Sequence, residues 1–155
     1  EYEATTAALL ASATFTPLSR LAAGAPDAAR QLLRKSLKLI TTAAVATVIL
    51  GLIFGPTVYR LLFGAEYAPG LEAFTILLFS IIIVYPGTLL GNALFAYDDS
   101  RYFLKFVIVS TLGNAIFNLL LIPNYGIEGA ATATILTQLI TNSLLYLRVR
   151  HKIKI

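Results

Sequence analysis

The run Ala73–Tyr97, AFTILLFSIIIVYPGTLLGNALFAY, holds 25 consecutive residues without a charge. Coiled as an α-helix it extends about 37 Å, at 1.5 Å per residue. The hydrocarbon core of a bilayer is only ~30 Å thick, so the run predicts a membrane span with some tilt or bend. Strict alternation of apolar and polar residues, the mark of a transmembrane β-strand, is absent. Pro86 and Gly87 fall in the middle. Proline lacks the N–H that the preceding turn requires, which predicts a kink near mid-membrane. A fixed packing kink and a working hinge both fit that pattern.

Four further uncharged runs flank this one: Ala4–Leu18, Leu39–Tyr59, Phe106–Pro123 and Gly129–Leu147. The expected fold class is therefore an all-α membrane protein, a multi-pass bundle of five spans within one unit covering residues 1–155. Composition agrees, with 57% hydrophobic residues, 13% charged and a mean hydropathy of +0.78. Soluble domains carry about 25% charged residues. The 155-residue chain begins at Glu1 and contains no methionine, so it is expected to be a piece of a longer protein. Its first run lacks a preceding basic region, which argues against a signal peptide.

The connections are short. Pro26-Asp27 opens a stretch, Ala28-Ala-Arg-Gln-Leu-Leu-Arg-Lys35, that reads as a helix start lying in the headgroup layer. Leu32 and Leu33 are expected to face lipid there, with Arg30, Arg34 and Lys35 toward water. Gly64, Pro69 and Gly70 mark a turn, as do Asp98-Asp99-Ser100 and Pro123-Asn124-Tyr125-Gly126.

Charge sets the orientation. Five spans place three basic regions on one side: Arg20, Arg30, Arg34, Lys35 and Lys38; Arg101 and Lys105; and Arg148, Arg150, Lys152 and Lys154. Only Arg60 falls opposite, with Glu1, Glu3, Glu66, Glu72 and Glu128. The positive-inside rule then puts the basic face and the C-terminus in the cytoplasm. The net charge of +4 comes from residues bordering apolar spans, which meet lipid headgroups, so no nucleic-acid partner is expected.

No catalytic constellation is present, and an enzyme is not expected. The absence of cysteine removes disulfides and thiolate metal sites. His151 lies in the basic tail, and Asp98 and Asp99 fit turn chemistry better than acid–base work. No cofactor or metal is implied. Uncharged polar residues say more. Ser110, Thr111, Asn114 and Asn118 share one helical face, Thr134, Thr137, Gln138, Thr141 and Asn142 another, and Tyr85, Thr88 and Asn92 a third. Amides avoid lipid, so these faces meet other helices or water. They are either interhelical hydrogen-bond contacts or the wall of a substrate cavity, whose candidate residues are Asn92, Asn114, Asn118, Gln138 and Asn142. Gly51-Leu-Ile-Phe-Gly55 and Gly87-Thr-Leu-Leu-Gly91 are small-xxx-small patterns that permit close helix approach.

The stretch Asn118-Leu-Leu-Leu-Ile-Pro-Asn-Tyr-Gly-Ile-Glu-Gly-Ala-Ala-Thr-Ala-Thr134 resembles the C-terminal signature of polysaccharide-biosynthesis flippases. These are Wzx-type exporters of the superfamily that also holds the MATE exporters and MurJ. Phe15-Thr-Pro-Leu-Ser-Arg20 is similar to that family's proline-serine-arginine helix exit, and Leu62-Phe-Gly-Ala-Glu-Tyr67 to the loop before its next helix. The resemblance implies two six-helix bundles rocking about a central cavity, with this chain as helices eight to twelve. The implied function is translocation of a lipid-linked oligosaccharide across the cytoplasmic membrane, in partnership with membrane lipids and a missing N-terminal lobe. The family's cationic cavity residues are not reproduced in these spans. Two alternatives stay open: a MATE-like drug or metabolite antiporter lobe, and a non-transporting scaffold of a polysaccharide synthesis complex.

Overall fold

A computed structural model of the chain describes residues 14–154. Residues 4–13, most of the first expected span, lie outside the described residues. From Thr14 onward the chain is helical almost throughout. Helix α1 occupies 14–24, α2 Pro26–Phe63 and α3 Gly70–Ala96, with a short 3-10 turn at Ala65–Tyr67 before α3. The remaining element, Ser100–Ile153, is interrupted at Gly126, whose φ of 54° and ψ of −130° are not helical. Glycine reaches that conformation without a Cβ clash. Its two arms are α4 (100–125) and α5 (127–153).

The arms fold back on one another. A Cβ built on Gly129 would stand 2.5 Å from the Leu121 carbonyl oxygen, whereas eight residues of straight helix span about 12 Å. Moving away from the break, Gly113 faces Thr137, Tyr102 reaches the Leu144 carbonyl and Asp99 pairs with Arg148. Partners step in opposite directions, so α4 and α5 are antiparallel over their whole length.

Helices α2 and α3 are antiparallel by the same pattern of partners. Gly51 lies against Leu78, Gly55 against Phe74, and Gly70 against the Tyr59 hydroxyl. Both glycines of the α2 pattern thus face α3, where a Cβ would meet a side chain within 3 Å. Such contact matters because helices in lipid associate through close packing rather than by escape from water. In the α3 pattern Gly87 faces Asn142 of α5, while Gly91 faces Phe103 of α4. Helix α3 is therefore central, and its second half supplies Leu89, Leu90, Ala93 and Leu94 to the core.

Among the described residues three helical elements are long and apolar enough to cross a membrane, Pro26–Phe63, Gly70–Ala96 and Ser100–Ile153. Outward faces are apolar, with Leu61 83% exposed and Leu119 77%. The start of α2, the α3–α4 turn and the end of α5 lie at one end. That end gathers Arg30, Arg34, Lys35, Lys38, Arg101, Lys105, Arg148, Arg150, Lys152 and Lys154. The other end carries Arg60, Glu66, Glu72 and Glu128, with tilted ring contacts among Tyr59, Phe63, Tyr67 and Phe74.

Two local expectations are corrected. Leu33 does not face lipid from a surface helix; it is 1% exposed in the core. Pro26 starts one continuous 38-residue helix, and helical spacing places Leu33 on the same face as Ala29, Ile40, Ala44 and Val48. Nor does the chain leave the helix at Phe15–Arg20. Residues 14–24 stay helical through Pro17 and Leu18 is buried.

Candidate functional site

Polar side chains on α5 open into two clefts on the side of the bundle formed with α2 and α3. The larger, about 810 Å³, is bordered by Pro86 and Gly87 of α3 and by Asn142, Ser143 and Tyr146 of α5. Arg34, Lys38, Thr41 and Thr42 of α2 close its third side. The Asn142 carboxamide packs onto Gly87, and its Nδ2 donates to the Gln138 carbonyl at 2.9 Å. Only a residue without a Cβ leaves room for that amide. Helix α3 runs through Pro86 as one element.

The second cleft, about 610 Å³, lies further from the basic end. Gln138 and Thr134 of α5 face Ser80, Phe74 and Leu78 of α3 and Thr47 of α2 across it. The α4 amides line neither cleft. Asn118 Nδ2 donates to Asn114 Oδ1 at 2.8 Å, one turn away on the same helix. Asn92 is half-buried and also outside both clefts. The five amides expected to share a cavity are thus distributed among the described residues: Asn142 in one cleft, Gln138 in the next, Asn114 with Asn118, and Asn92 apart.

The hydroxyls are turned inward on their own helices. Thr42, Thr47, Thr75, Thr88, Thr132, Thr134, Thr137 and Thr141 each donate to the carbonyl four residues back, at 2.7 to 3.0 Å. Threonine in an apolar surrounding satisfies its proton in this way without a neighbouring helix. The amides bond within their own helices as well, Asn118 to Asn114 and Asn142 to the Gln138 carbonyl. Asn118 Oδ1 and Gln138 Oε1 are buried with no hydrogen-bond partner among the described residues. A buried carbonyl oxygen left so costs about 1–3 kcal/mol, so both positions favour a polar group brought to them.

At the basic end Asp99 joins α3, α4 and α5. Arg148 Nε donates to its Oδ2 at 2.8 Å and Lys152 Nζ stands 3.7 Å away. The Arg148 guanidinium also lies 5.0 Å from the centre of the Tyr102 ring. The hydrogen bond from Arg148 holds the Asp99 carboxyl below the usual carboxylate range, while burial opposes it and Lys152 adds to it. Asp98 shapes the turn: its φ is 54°, and the N–H groups of Asp98 and Asp99 bond to the Phe95 and Leu94 carbonyls. This is the Schellman closure of a helix C-terminus. Turn chemistry was legible in the sequence. The Asp99–Arg148 pair, 49 residues apart, had no local signal.

Known proteins supply the comparison. Residues 7–155 match the family described as lipid II flippase MurJ. The capsular polysaccharide biosynthesis protein CapF of Staphylococcus aureus is 30% identical over 110 residues, which cover 71% of this chain and 28% of CapF. A solved structure of a multidrug resistance MATE family transporter of the MOP superfamily, in an outward-facing conformation, superposes with a TM-score of 0.83. That match covers 94% of this chain and 34% of the transporter at 22% identity, and shows a shared fold. The chain therefore spans about a third or less of the length of either relative.

Proposed function

The chain belongs to the lipid II flippase MurJ family, and from that membership we propose that it forms most of the C-terminal lobe of a flippase for a lipid-linked oligosaccharide. The observation that carries this is the family match over residues 7–155, joined to a fold shared with one third of a MATE transporter. CapF, named for capsular polysaccharide biosynthesis, favours a glycan over a drug as the passenger. In this proposal the lobe contributes five spans: one at residues 4–18, then α2, α3, α4 and α5. The basic end and the C-terminus face the cytoplasm.

Movement would come from alternating access. The two lobes rock about a central path, the glycan stays among water and polar side chains, and the polyprenyl tail stays in the bilayer. Asn114, Asn118 and Gln138 are the wall residues of that path on this lobe. Support comes from the two buried, unpartnered oxygens at Asn118 and Gln138. Asn142 and Asn92 complete the polar faces, with Asn142 seated on Gly87 of α3 and Pro86 beside it the place where α3 would kink.

Depletion of the full protein in its own cell tests the function. Lipid-linked oligosaccharide should accumulate on the cytoplasmic side, out of reach of a glycan label applied from outside. An antiporter would leave that distribution unchanged. A scaffold would lower total synthesis with no inner accumulation.

A further inference from the structure

The larger cleft has a second property, separate from the polar faces. Its walls are apolar on all three helices, from Leu37, Ile83, Leu90, Leu139 and Leu147. Two cations, Arg34 and Lys38, stand at its α2 side, and no acidic residue lines it. Neither cation forms an ion pair among the described residues; the pairs there are Arg30–Asp27, Arg148–Asp99 and Lys152–Asp99. The cleft belongs to the basic end. It runs along α5 from Leu139 to Leu147, about 12 Å of helix, close to the ~15 Å depth of one hydrocarbon leaflet. Leu139 and Leu147 are 47% and 57% exposed, so the apolar wall is open to the surroundings.

We propose that this cleft holds one anionic phospholipid of the adjoining leaflet, its phosphate on Arg34 and Lys38 and an acyl chain along Leu90, Leu139 and Leu147. Charge chooses the occupant. A zwitterionic lipid fills the apolar wall equally well but leaves two cations without a net counter-charge, whereas each basic residue near an anionic headgroup gains about 1 kcal/mol. The enclosed volume of about 810 Å³ suits a headgroup phosphate with one acyl chain, the rest of the lipid lying in the leaflet. The proposal depends on the chain lying in a bilayer and is independent of transport.

The chain contains no tryptophan, which makes a fluorescence test direct. In the full-length protein, reconstituted into phosphatidylcholine vesicles, Leu139→Trp serves as reporter and Leu119→Trp, on the outer face of α4, as control. Emission is the difference from the parent protein. Brominated phosphatidylglycerol or brominated phosphatidylcholine is added at equal mole fraction. The cleft reporter should favour phosphatidylglycerol at least about fivefold, and the control should show no preference. Arg34→Gln with Lys38→Gln should abolish the preference while leaving quenching by phosphatidylcholine intact. Arg34→Lys with Lys38→Arg should keep it, which separates charge from folding. Equal quenching by both lipids at the cleft, or a preference surviving removal of both cations, overturns the proposal. So does an absence of quenching by either lipid, which would mean that protein covers the cleft. Displacement by a low mole fraction of lipid-linked oligosaccharide would also overturn it, by giving the cleft to the transported molecule.

Discussion

Asp99 carries the most connected ionic contact among the described residues, bonded to Arg148 and close to Lys152. Its carboxyl is held below the usual range chiefly by Arg148. A carboxyl with a depressed folded pKa contributes stability above its unfolded value, about 3.9. That contribution is lost as pH falls through the lower folded value. Thermal melts of the wild type should therefore drop between neutral pH and pH 3, and Asp99→Asn should lower the melting temperature at pH 7 while flattening the acid fall. A variant that melts with the wild type at pH 7 would remove the pair from the stability of this end. The buried amides make a different prediction. Gln138→Leu strands no partner of the lost oxygen, so its melting should stay near normal. Asn118→Leu also takes the donor from Asn114 Oδ1 and should lower stability by about 1 kcal/mol. In both, flipping should fall about tenfold or more. Loss of stability without loss of flipping would return both residues to packing. Sequence patterns mark these amides because polar side chains in long apolar runs stand out. They do not show which amides share a cleft, since that depends on how α4 and α5 are rotated about their axes.

Helices α2 and α3 meet through Gly51 and Gly55, and α3 meets α5 through Gly87. Spacing alone reveals both patterns, because four residues return to one helical face. Which helix each glycine would face was not legible: Gly87 and Gly91 meet two different partners. The long run of α2 also conceals its start. Basic residues every few positions suggest a surface helix, whereas Leu33 belongs to the buried stripe that continues through Val48. Charged side chains on the other faces of α2 leave that stripe free to pack. Gly51→Leu should force α2 from Leu78, at a cost of about 1–3 kcal/mol for overpacking, seen as a lower melting temperature in detergent. Gly126→Val should destabilise by a similar amount, because a β-branched residue at a φ of 54° is strained. Unchanged melting of either variant would contradict the close approach or the break.

Across the whole molecule, two basic regions are joined directly by Asp99, and the antiparallel α2–α3 contact brings the start of α2 to the same end. This gathering of basic residues at one end was legible in the sequence because charge asymmetry survives any detail of packing. The proposed transport path was not, since such a cavity would form between lobes and this chain covers 34% of the solved transporter it resembles. The chain contains no cysteine, so single replacements here report sidedness once any cysteine elsewhere in the full-length protein is replaced. Ser100→Cys and His151→Cys should resist an impermeant thiol reagent applied to intact cells, and Glu66→Cys and Tyr125→Cys should react; the reverse pattern would invert the membrane orientation. Transport itself is tested by reconstituting the full-length protein into liposomes with a fluorescent lipid-linked oligosaccharide, then adding an impermeant quencher. Flipping should expose the inner-leaflet label, taking the signal from about half quenched toward complete quenching, and Asn118→Leu with Gln138→Leu should slow that second phase. A signal that stops at the protein-free level would contradict the assignment of this chain to a lipid-linked oligosaccharide flippase.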